Sequence, residues 1–227
     1  METNKLKETM DVIITNTFNR LETVYNNHKE GFNSKLPLPT GNESRLVFPA
    51  NYKKGEIKDT RISEQELRFA FIEEFNYYCK ENGIDLFYSV ETPTKEAYSG
   101  FTTNPQPDPN GRSGEFDTVI LDKDLKRVCL IEFKANNAGP IDHKKDFLKL
   151  DYDEKDNEDV LRYFIEIVKS YRNATINSLK KDKFIFRGKL TEVRCYSLEG
   201  DSSKKTISGE DISEKFKDIP PFDYTNE

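Results

Sequence analysis

The chain has 227 residues and a net charge of −6, with 33% of its residues charged and 35% apolar. This length suits one domain with appendages, and the apolar share allows one modest core. No run approaches the roughly 20 apolar residues that a bilayer-spanning helix needs. No apolar signal-peptide core follows the N-terminus. These features argue against a membrane protein, and we expect a cytoplasmic location.

The cysteines and the overall charge restrict the kind of site that the chain can hold. Cys79, Cys129 and Cys195 are scattered and form no CxxC pair, which argues against a disulfide framework and a zinc site. We expect them to be small buried side chains. The acidic charge argues mildly against non-specific coating of nucleic acid, which depends on neutralising phosphates. It is compatible with a metal-dependent site, where bound cations offset collected carboxylates.

The first third of the chain is predicted to contain two helices separated by a loop. Residues 5–26 place apolar side chains at helical spacing. Residues 28–60 lose this periodicity and collect glycine, proline, asparagine and lysine, which predicts a long loop. Ser63-Glu-Gln-Glu66 is a capping-box pattern, so a second helix should begin there and end near Asn82-Gly83.

The remaining elements are predicted to alternate between strands and helices. Strands are expected at 86–90, 116–121 and 127–134, the last two joined by a polar turn at 122–126, and residues 92–114 should form a second long loop. A short helix is expected from 141 or 142 to 150, a longer helix over roughly 157–180, and a strand pair within 184–198. The order predicts an α/β fold with a small central mixed sheet flanked by helices, with an extra N-terminal helix. We therefore divide the chain into a helix and loop at 1–60, an α/β core at 61–198 and a polar tail at 199–227.

Charged residues interrupt the apolar strands at positions that suggest chemistry. Glu132 and Lys134 are two residues apart on one strand, so they should project from the same face of the sheet. Asp117 lies at the start of the preceding strand, and a hairpin between the two strands would bring it beside Glu132. Mg²⁺ is often held by one or two carboxylates, with the backbone carbonyl of Phe133 as a further ligand. Such a metal acidifies a water for phosphodiester hydrolysis, while Lys134 orients that water or neutralises developing charge.

The same residues resemble the signature of a known superfamily. Gly114-Glu-Phe-Asp117, followed after 14 residues by an E-x-K segment in Ile131-Glu-Phe-Lys134, is similar to the bipartite motif of the PD-(D/E)XK, or restriction-endonuclease-like, nucleases. Phe116 stands where the name-giving proline would be. In that superfamily the motif lies on a β-hairpin followed by a helix, and residues 142–150 resemble that helix. The resemblance covers about 61–150, and a helix and strand up to 198 extend it.

The resemblance implies further members of the site. Members of the superfamily often carry an acidic residue on the helix before the core strands, and Glu66 is our first choice for a metal ligand there, with Glu64 and Glu73 as weaker candidates. Substrate contacts are expected from side chains that flank the motif: Asn136, Asn137, Arg112, His143 and Lys144. Each also has a simpler interpretation as a turn residue or a solvated helix charge. Lys149 is interpreted as a solvated helix charge, and Asp146 as the partner of a neighbouring lysine.

As a function, the resemblance implies a Mg²⁺-dependent nuclease in which Mn²⁺ can substitute, acting on DNA rather than RNA and related to restriction or defence. Two alternatives stay open: an inactive nuclease fold that serves binding or assembly, and hydrolysis of a small phosphodiester. Cutting both strands of a duplex would favour a two-fold homodimer, for which the N-terminal amphipathic helix could supply the contact.

Overall fold

The computed structural model describes residues 2–29, 44–100, 107–136, 140–153, 157, 159–171, 177, 191–200 and 209–216. The elements in chain order are α1 (Thr3–Lys29), β1 (Ala50–Lys53), β2 (Glu56–Thr60), α2 (Glu64–Asn82), β3 (Phe87–Tyr98), β4 (Arg112–Leu121), β5 (Arg127–Ala135), α3 (Pro140–Tyr152), β6 (Leu161–Val168), β7 (Thr191–Ser197), β8 (Glu210–Asp211) and a short 3-10 helix (Ser213–Phe216).

Strands β3 to β8 form one six-stranded mixed sheet in chain order. Strands β3, β4 and β5 are an antiparallel meander, β5, β6 and β7 are parallel, and β8 is antiparallel to β7. Strands β1 and β2 form a separate two-stranded ribbon. The predicted α/β class with a mixed sheet and an N-terminal helix is therefore confirmed in its general form.

Helices cover both faces of the sheet. Side chains of α1 and α2 share one apolar cluster with Ile131 and Phe133 of β5 and with Tyr163 and Ile165 of β6. On the other face, α3 packs Phe147 and Leu150 against Leu130, Phe164 and Val193. The apolar stripe of α1 is thus buried in the core of its own chain, which removes it as the expected contact between two copies.

Several predicted boundaries are confirmed. Helix α2 begins after Ser63 and ends at Gly83, whose φ of 60° is the left-handed conformation that favours glycine at a helix C-terminus. The turn between β4 and β5 is closed by a hydrogen bond from Asp122 N to Lys126 O at 3.0 Å.

The three cysteines are buried and have free thiols, as expected. None of the helices in the described part of the chain combines the length and hydropathy needed to cross a membrane.

The predicted helix at 157–180 is wrong where the structure has β6, Leu161–Val168. All but the first residue of β6 are buried, because the strand lies between two parallel neighbours with helices over both faces. A strand buried on both sides has a continuous apolar run and lacks the alternation that normally distinguishes a strand from a helix.

The two predicted long loops are also partly wrong. Residues 50–60 of the first loop contain the β1–β2 ribbon, and the second loop is shortened by β3, which extends to Tyr98, and by β4, which starts at Arg112. Pro93 fits within β3 because β3 is the edge strand of the sheet, where a missing N–H costs no ladder bond. In the predicted polar tail, β8 adds a strand and Ile212 is fully buried. Strand β7 confirms the second half of the predicted pair at 184–198, and residues 184–190 lie outside the described residues.

Candidate active site

The E-x-K segment lies at the carboxyl end of β5. Glu132 and Lys134 are paired in register with Phe164 and Glu166 of the parallel strand β6. The side chains of this register face α3, since Leu130 and Phe164 belong to the apolar cluster under that helix. Glu132 is 2% exposed. The strand therefore holds a carboxylate inside the protein, and the lysine lies two residues further toward the carboxyl end of the same strand.

Asp117 is fixed directly to this segment. The ladder between β4 and β5 runs only as far as the pair Thr118 and Ile131. Beyond it, Oδ2 of Asp117 accepts a hydrogen bond from the backbone N–H of Phe133 at 2.7 Å. The side chain thus takes the place of a main-chain partner at Phe133, the residue between Glu132 and Lys134 in the chain, which is the neighbourhood that the hairpin predicts.

Helix α3 brings a second lysine to the site. Lys149 Nζ lies 2.5 Å from Oε1 of Glu132 and 2.9 Å from Oδ1 of Asp146, and it donates a hydrogen bond to the carbonyl of Glu115 at 2.8 Å. Lys149 is a buried side chain and not the solvated helix charge that the sequence suggests. Asp146 does pair with neighbouring lysines, as expected, and it pairs with two of them.

Lys134 connects the two helices that flank the site. Its Nζ lies 2.7 Å from Oδ2 of Asp146 on α3 and 3.4 Å from Oε1 of Glu64 on α2. It also donates a hydrogen bond to the carbonyl of Phe133 at 3.3 Å. Asp146 therefore lies between the two lysines, and the whole group forms one charge network drawn from β4, β5, α2 and α3.

The network carries more negative than positive charge. Its four carboxylates, those of Glu64, Asp117, Glu132 and Asp146, face the two lysines. Arg68 of α2 adds a cation at 3.9 Å from Asp117. With all four carboxylates ionised, this count would leave one unit of negative charge uncompensated, and Arg68 is also shared with the exposed Glu91 at 3.5 Å. Glu132 and Asp146 are the buried carboxylates of the group, and ionising both of them is costly unless cations offset their charge.

Burial and this charge shift the pKa values of the network. Burial, and then the charge of Asp146, raise the pKa of Glu132 well above its ordinary value, while Lys149 acts in the opposite direction and the Asp117 charge adds to the rise. Burial alone would lower the pKa of Lys134, but Asp146 and the nearby glutamates raise it above its ordinary value. Burial would also lower the pKa of Lys149, but the charges of Glu132 and Asp146 outweigh burial and raise it above its ordinary value. Both lysines are therefore cationic at neutral pH.

The donor atoms fit a hard divalent cation in their chemistry. Asp117, Glu132 and the Phe133 carbonyl supply oxygen ligands of the type that Mg²⁺ prefers. Oε1 of Glu132 is buried and lies 2.5 Å from Lys149 Nζ, so a divalent cation at this oxygen would have to replace that ion pair. Among the described residues, however, no group of three or more histidine, cysteine or acidic side chains is already arranged as a metal site.

The acidic residue contributed by α2 is Glu64. Oε2 of Glu66 accepts a hydrogen bond from the backbone N–H of Ser63 at 2.8 Å and is also contacted by the Ser63 hydroxyl, so Glu66 caps the helix. Glu73 instead contacts Arg20 at 3.4 Å and the hydroxyl of Ser44 at 2.6 Å. The structure thus places Glu64, a weaker candidate, where the resemblance favoured Glu66.

The structure describes the side chains of three of the five predicted substrate-contacting residues, and it does not group these three at the network. Asn136 donates its side-chain N–H to the carbonyl of Ile62 and ties β5 to the start of α2. His143 is 1% exposed and lies 3.7 Å from Glu166, inside the protein. Arg112 is five residues before Asp117 on β4, about 17 Å along an extended strand. Asn137 and the side chain of Lys144 lie outside the described residues.

Two members of the network, Lys149 and Asp146, could have been identified from a local signal. They are three residues apart on α3, so they share a helix face. The residues around them, Phe147, Leu148 and Leu150, leave this part of the helix without a solvent-facing side. Charged residues in such a segment have to be buried and paired.

Comparison of the chain with models of protein families, with curated proteins and with solved structures finds no match.

Proposed function

We propose that the protein is a nuclease of the PD-(D/E)XK type, which hydrolyses phosphodiester bonds of nucleic acid, DNA in preference to RNA, with Mg²⁺ or Mn²⁺. The observation that carries this proposal is the hydrogen bond from Phe133 N to Asp117. It holds one carboxylate against the E-x-K segment that supplies the second carboxylate and the lysine. A restriction or defence role follows from the resemblance alone.

The arrangement of elements supports a restriction-endonuclease-like core as part of the same proposal. The elements follow in the order helix α2, antiparallel meander β3–β5, helix α3 and parallel strand β6. Helix α3 covers the face of β5 from which Glu132 projects. The site is at the carboxyl end of two parallel strands, where open α/β sheets generally bind ligands.

Asp117, Glu132 and the Phe133 carbonyl are the groups that would hold the cation. When bound, a divalent cation acidifies a water and stabilises negative charge on the phosphoryl oxygens. Lys149 would keep Asp146 and the Glu115 carbonyl as partners, so the interior would retain a compensated charge. Glu64 is the further carboxylate nearest to Lys134 on the α2 side.

Lys134 acts as a fixed positive charge in this proposal. Its raised pKa argues against a role as general base at neutral pH. Asp146 and Glu64 hold its ammonium group from two sides. In this position it can orient the attacking water or stabilise the charge that develops on the phosphate, an interaction that is stronger in a partly buried site than in water.

The test is cleavage of plasmid DNA and of RNA in the presence of Mg²⁺ or Mn²⁺. We expect Lys134→Met, Asp117→Asn and Glu132→Gln each to reduce cutting by roughly 100-fold or more. Lys145→Met is the control for Lys134→Met, because it makes the same change at an exposed lysine of α3 that is not part of the charge network. Equal cutting by the wild-type protein and the Lys134→Met variant would reject the nuclease.

An inactive nuclease fold that serves binding or assembly is the second candidate. It is favoured by the pairing of both lysines with carboxylates and by the missing preformed metal group among the described residues. Isothermal titration with Mn²⁺ separates the two proposals. Binding that disappears in Asp117→Asn supports the nuclease, and no binding by the wild-type protein supports the inactive module.

A further inference from the structure

The β1–β2 ribbon is an element that the proposed active site does not use. Its two strands pair only with each other among the described strands. They are joined at Lys54 and Gly55, whose φ values of 56° and 84° are both positive, as in the tight turns of two-residue hairpins. The ribbon extends about 16 Å from Thr60 to this turn, at about 3.3 Å per residue.

The base of the ribbon is fastened to the edge of the sheet that carries the candidate site. Ile62, two residues after β2, accepts a hydrogen bond from the side chain of Asn136, which is two residues beyond Lys134. Asp59 forms an ion pair at 3.5 Å with Lys169, which directly follows β6. Helix α2 then begins at Glu64, a member of the charge network. The base of the ribbon therefore lies beside the carboxyl ends of β5 and β6, where the candidate site is.

The exposed surface of the ribbon combines lysines with an apolar pair. Tyr52 and Ile57 are cross-strand partners and are 69% and 42% exposed. Three lysines, Lys53, Lys54 and Lys58, are exposed beside them. The ribbon also carries two acidic residues: Glu56 is exposed, and Asp59 is already held by Asn51 at 2.8 Å and by Lys169. The ribbon is therefore locally basic, although the chain as a whole has a net charge of −6.

We propose that the β1–β2 ribbon binds duplex DNA and holds its backbone at the rim of the candidate active site. This inference rests on the proposed function for the site that the ribbon would serve. A two-stranded ribbon fits into the major groove of B-form DNA, and lysines on it reach the phosphates of the groove walls. Tyr52 and Ile57 supply an apolar surface toward the sugars and base edges. Protein–protein interfaces are depleted in lysine, so the three exposed lysines favour DNA over a protein partner.

The test measures binding of a fluorescent DNA duplex of about 30 base pairs by anisotropy, in EDTA so that the duplex stays intact. We expect K53Q/K54N/K58Q to weaken binding at least tenfold. The slope of log K against log salt should fall by about 2 to 3, since each lost phosphate contact contributes about 0.9. The control K80Q/K123Q/K126Q removes three exposed lysines at the end of α2 and in the β4–β5 turn, away from the site. It should leave affinity and slope unchanged.

The outcomes distinguish this inference from the nuclease itself. Unchanged DNA binding by the ribbon variant, or equal weakening by both triple variants, overturns the role of the ribbon even if plasmid is cut. Ribbon-dependent binding without any cutting rejects the nuclease and retains the ribbon as a DNA-binding element. If Y52S/I57S converts a dimer into a monomer in light scattering while DNA binding is unchanged, the ribbon joins two copies and the inference is overturned.

Discussion

Lys149 brings a positive charge into the interior, where it compensates two carboxylates. Its ammonium group lies 2.5 Å from Glu132 and 2.9 Å from Asp146, and the side chain is almost fully buried. Replacing a whole buried ion pair by apolar groups is often neutral, but removing one partner leaves an uncompensated buried charge. The stability of the site without metal should therefore depend on Lys149.

We expect Lys149→Met to lower the free energy of unfolding by about 3 kcal/mol in EDTA, measured by urea denaturation. Mn²⁺ should restore more stability to this variant than it adds to the wild-type protein, because the cation can take over the compensation of Glu132. The control is Lys145→Met, which removes an exposed lysine and should change stability by less than about 0.5 kcal/mol. A variant as stable as the wild-type protein in EDTA would show that the carboxylates do not need Lys149.

The stability of the protein should fall as the pH rises above the ordinary range of a glutamate. Burial and Asp146 raise the pKa of Glu132 well above the value of 4.5 that applies in an unfolded chain. Between these two pKa values the folded protein holds a proton that the unfolded chain has released. The stabilisation that this proton provides is therefore fully present below the pKa of Glu132 in the unfolded chain. It is lost as the pH rises through the pKa of Glu132 in the folded protein.

Glu132→Gln removes this proton uptake and should flatten the dependence of stability on pH. We expect the unfolding free energies of the variant and the wild-type protein to diverge as the pH rises above about 5, by up to about 1.4 kcal/mol per pH unit. Urea titrations across this range give the measurement. Both lysine pKa values are raised, so lysine titration lies above the window. Parallel curves for the two proteins would mean that Glu132 is ionised in the folded state throughout.

The residues on the strands could be predicted from the sequence as a group, whereas the contacts made by those on the helices could not. Glu132 and Lys134 share a face because every second residue of a strand does, and Asp117 follows from the hairpin. Which side of a helix meets the sheet depends instead on how the helix packs. For this reason the contacts of Glu64 and Asp146 with Lys134 depend on how α2 and α3 pack and not on a sequence pattern.

At the scale of elements, the first turn of α2 separates two glutamates with different roles. Glu66 accepts the Ser63 N–H, which has no partner within the helix, and Glu64 contacts Lys134. A capping side chain typically stabilises a helix by about 1 kcal/mol. Glutamine can still accept this hydrogen bond through its amide oxygen, whereas alanine cannot.

We expect Glu66→Gln to keep both the stability and the cleavage rate of the wild-type protein, and Glu66→Ala to lose about 1 kcal/mol of stability. Glu64→Gln should reduce cleavage while changing the melting temperature little, since Glu64 is partly exposed. Plasmid cleavage and thermal melting of the three variants provide the measurements. A large loss of cleavage in a stably folded Glu66→Gln variant would restore Glu66 as a ligand and contradict its role as a cap.

Elements with a clear local signal were predicted correctly, and those set by tertiary context were not. The capping box and Gly83 define α2, and the polar turn at 122–126 defines the β4–β5 hairpin. Strand β6 lacks such a signal because its environment, and not its own pattern, makes it a strand: it is hydrogen-bonded on both sides within the sheet. The sequence does not distinguish the ribbon from a loop, because its exposed strands carry lysine, asparagine and acidic residues, which are depleted in strands, around a glycine turn.

At the scale of the whole molecule, α1 is part of the main core. Phe18 stacks on Tyr196 of β7 with ring centroids 4.9 Å apart, and Arg20 donates two hydrogen bonds to Glu74 of α2, at 2.7 and 3.2 Å. Arg194 of β7 contacts Asp11 at 2.6 Å. The helix is thus joined to both α2 and the sheet by apolar and ionic contacts, and it should unfold together with them.

We therefore expect Phe18→Ala to lower the free energy of unfolding of the whole protein by about 3 to 4 kcal/mol, the usual cost of deleting a buried aromatic ring. Urea unfolding followed by far-UV circular dichroism and by tyrosine fluorescence should give one coincident transition in both proteins; the chain has 11 tyrosines and no tryptophan. Val12→Ala is the control, since Val12 is 39% exposed on the same helix and should matter little. Early loss of helical signal in Phe18→Ala, with the tyrosine transition unchanged, would show instead that α1 unfolds as a separate unit. In that case the charge network on β5, α2 and α3 would be stable without it.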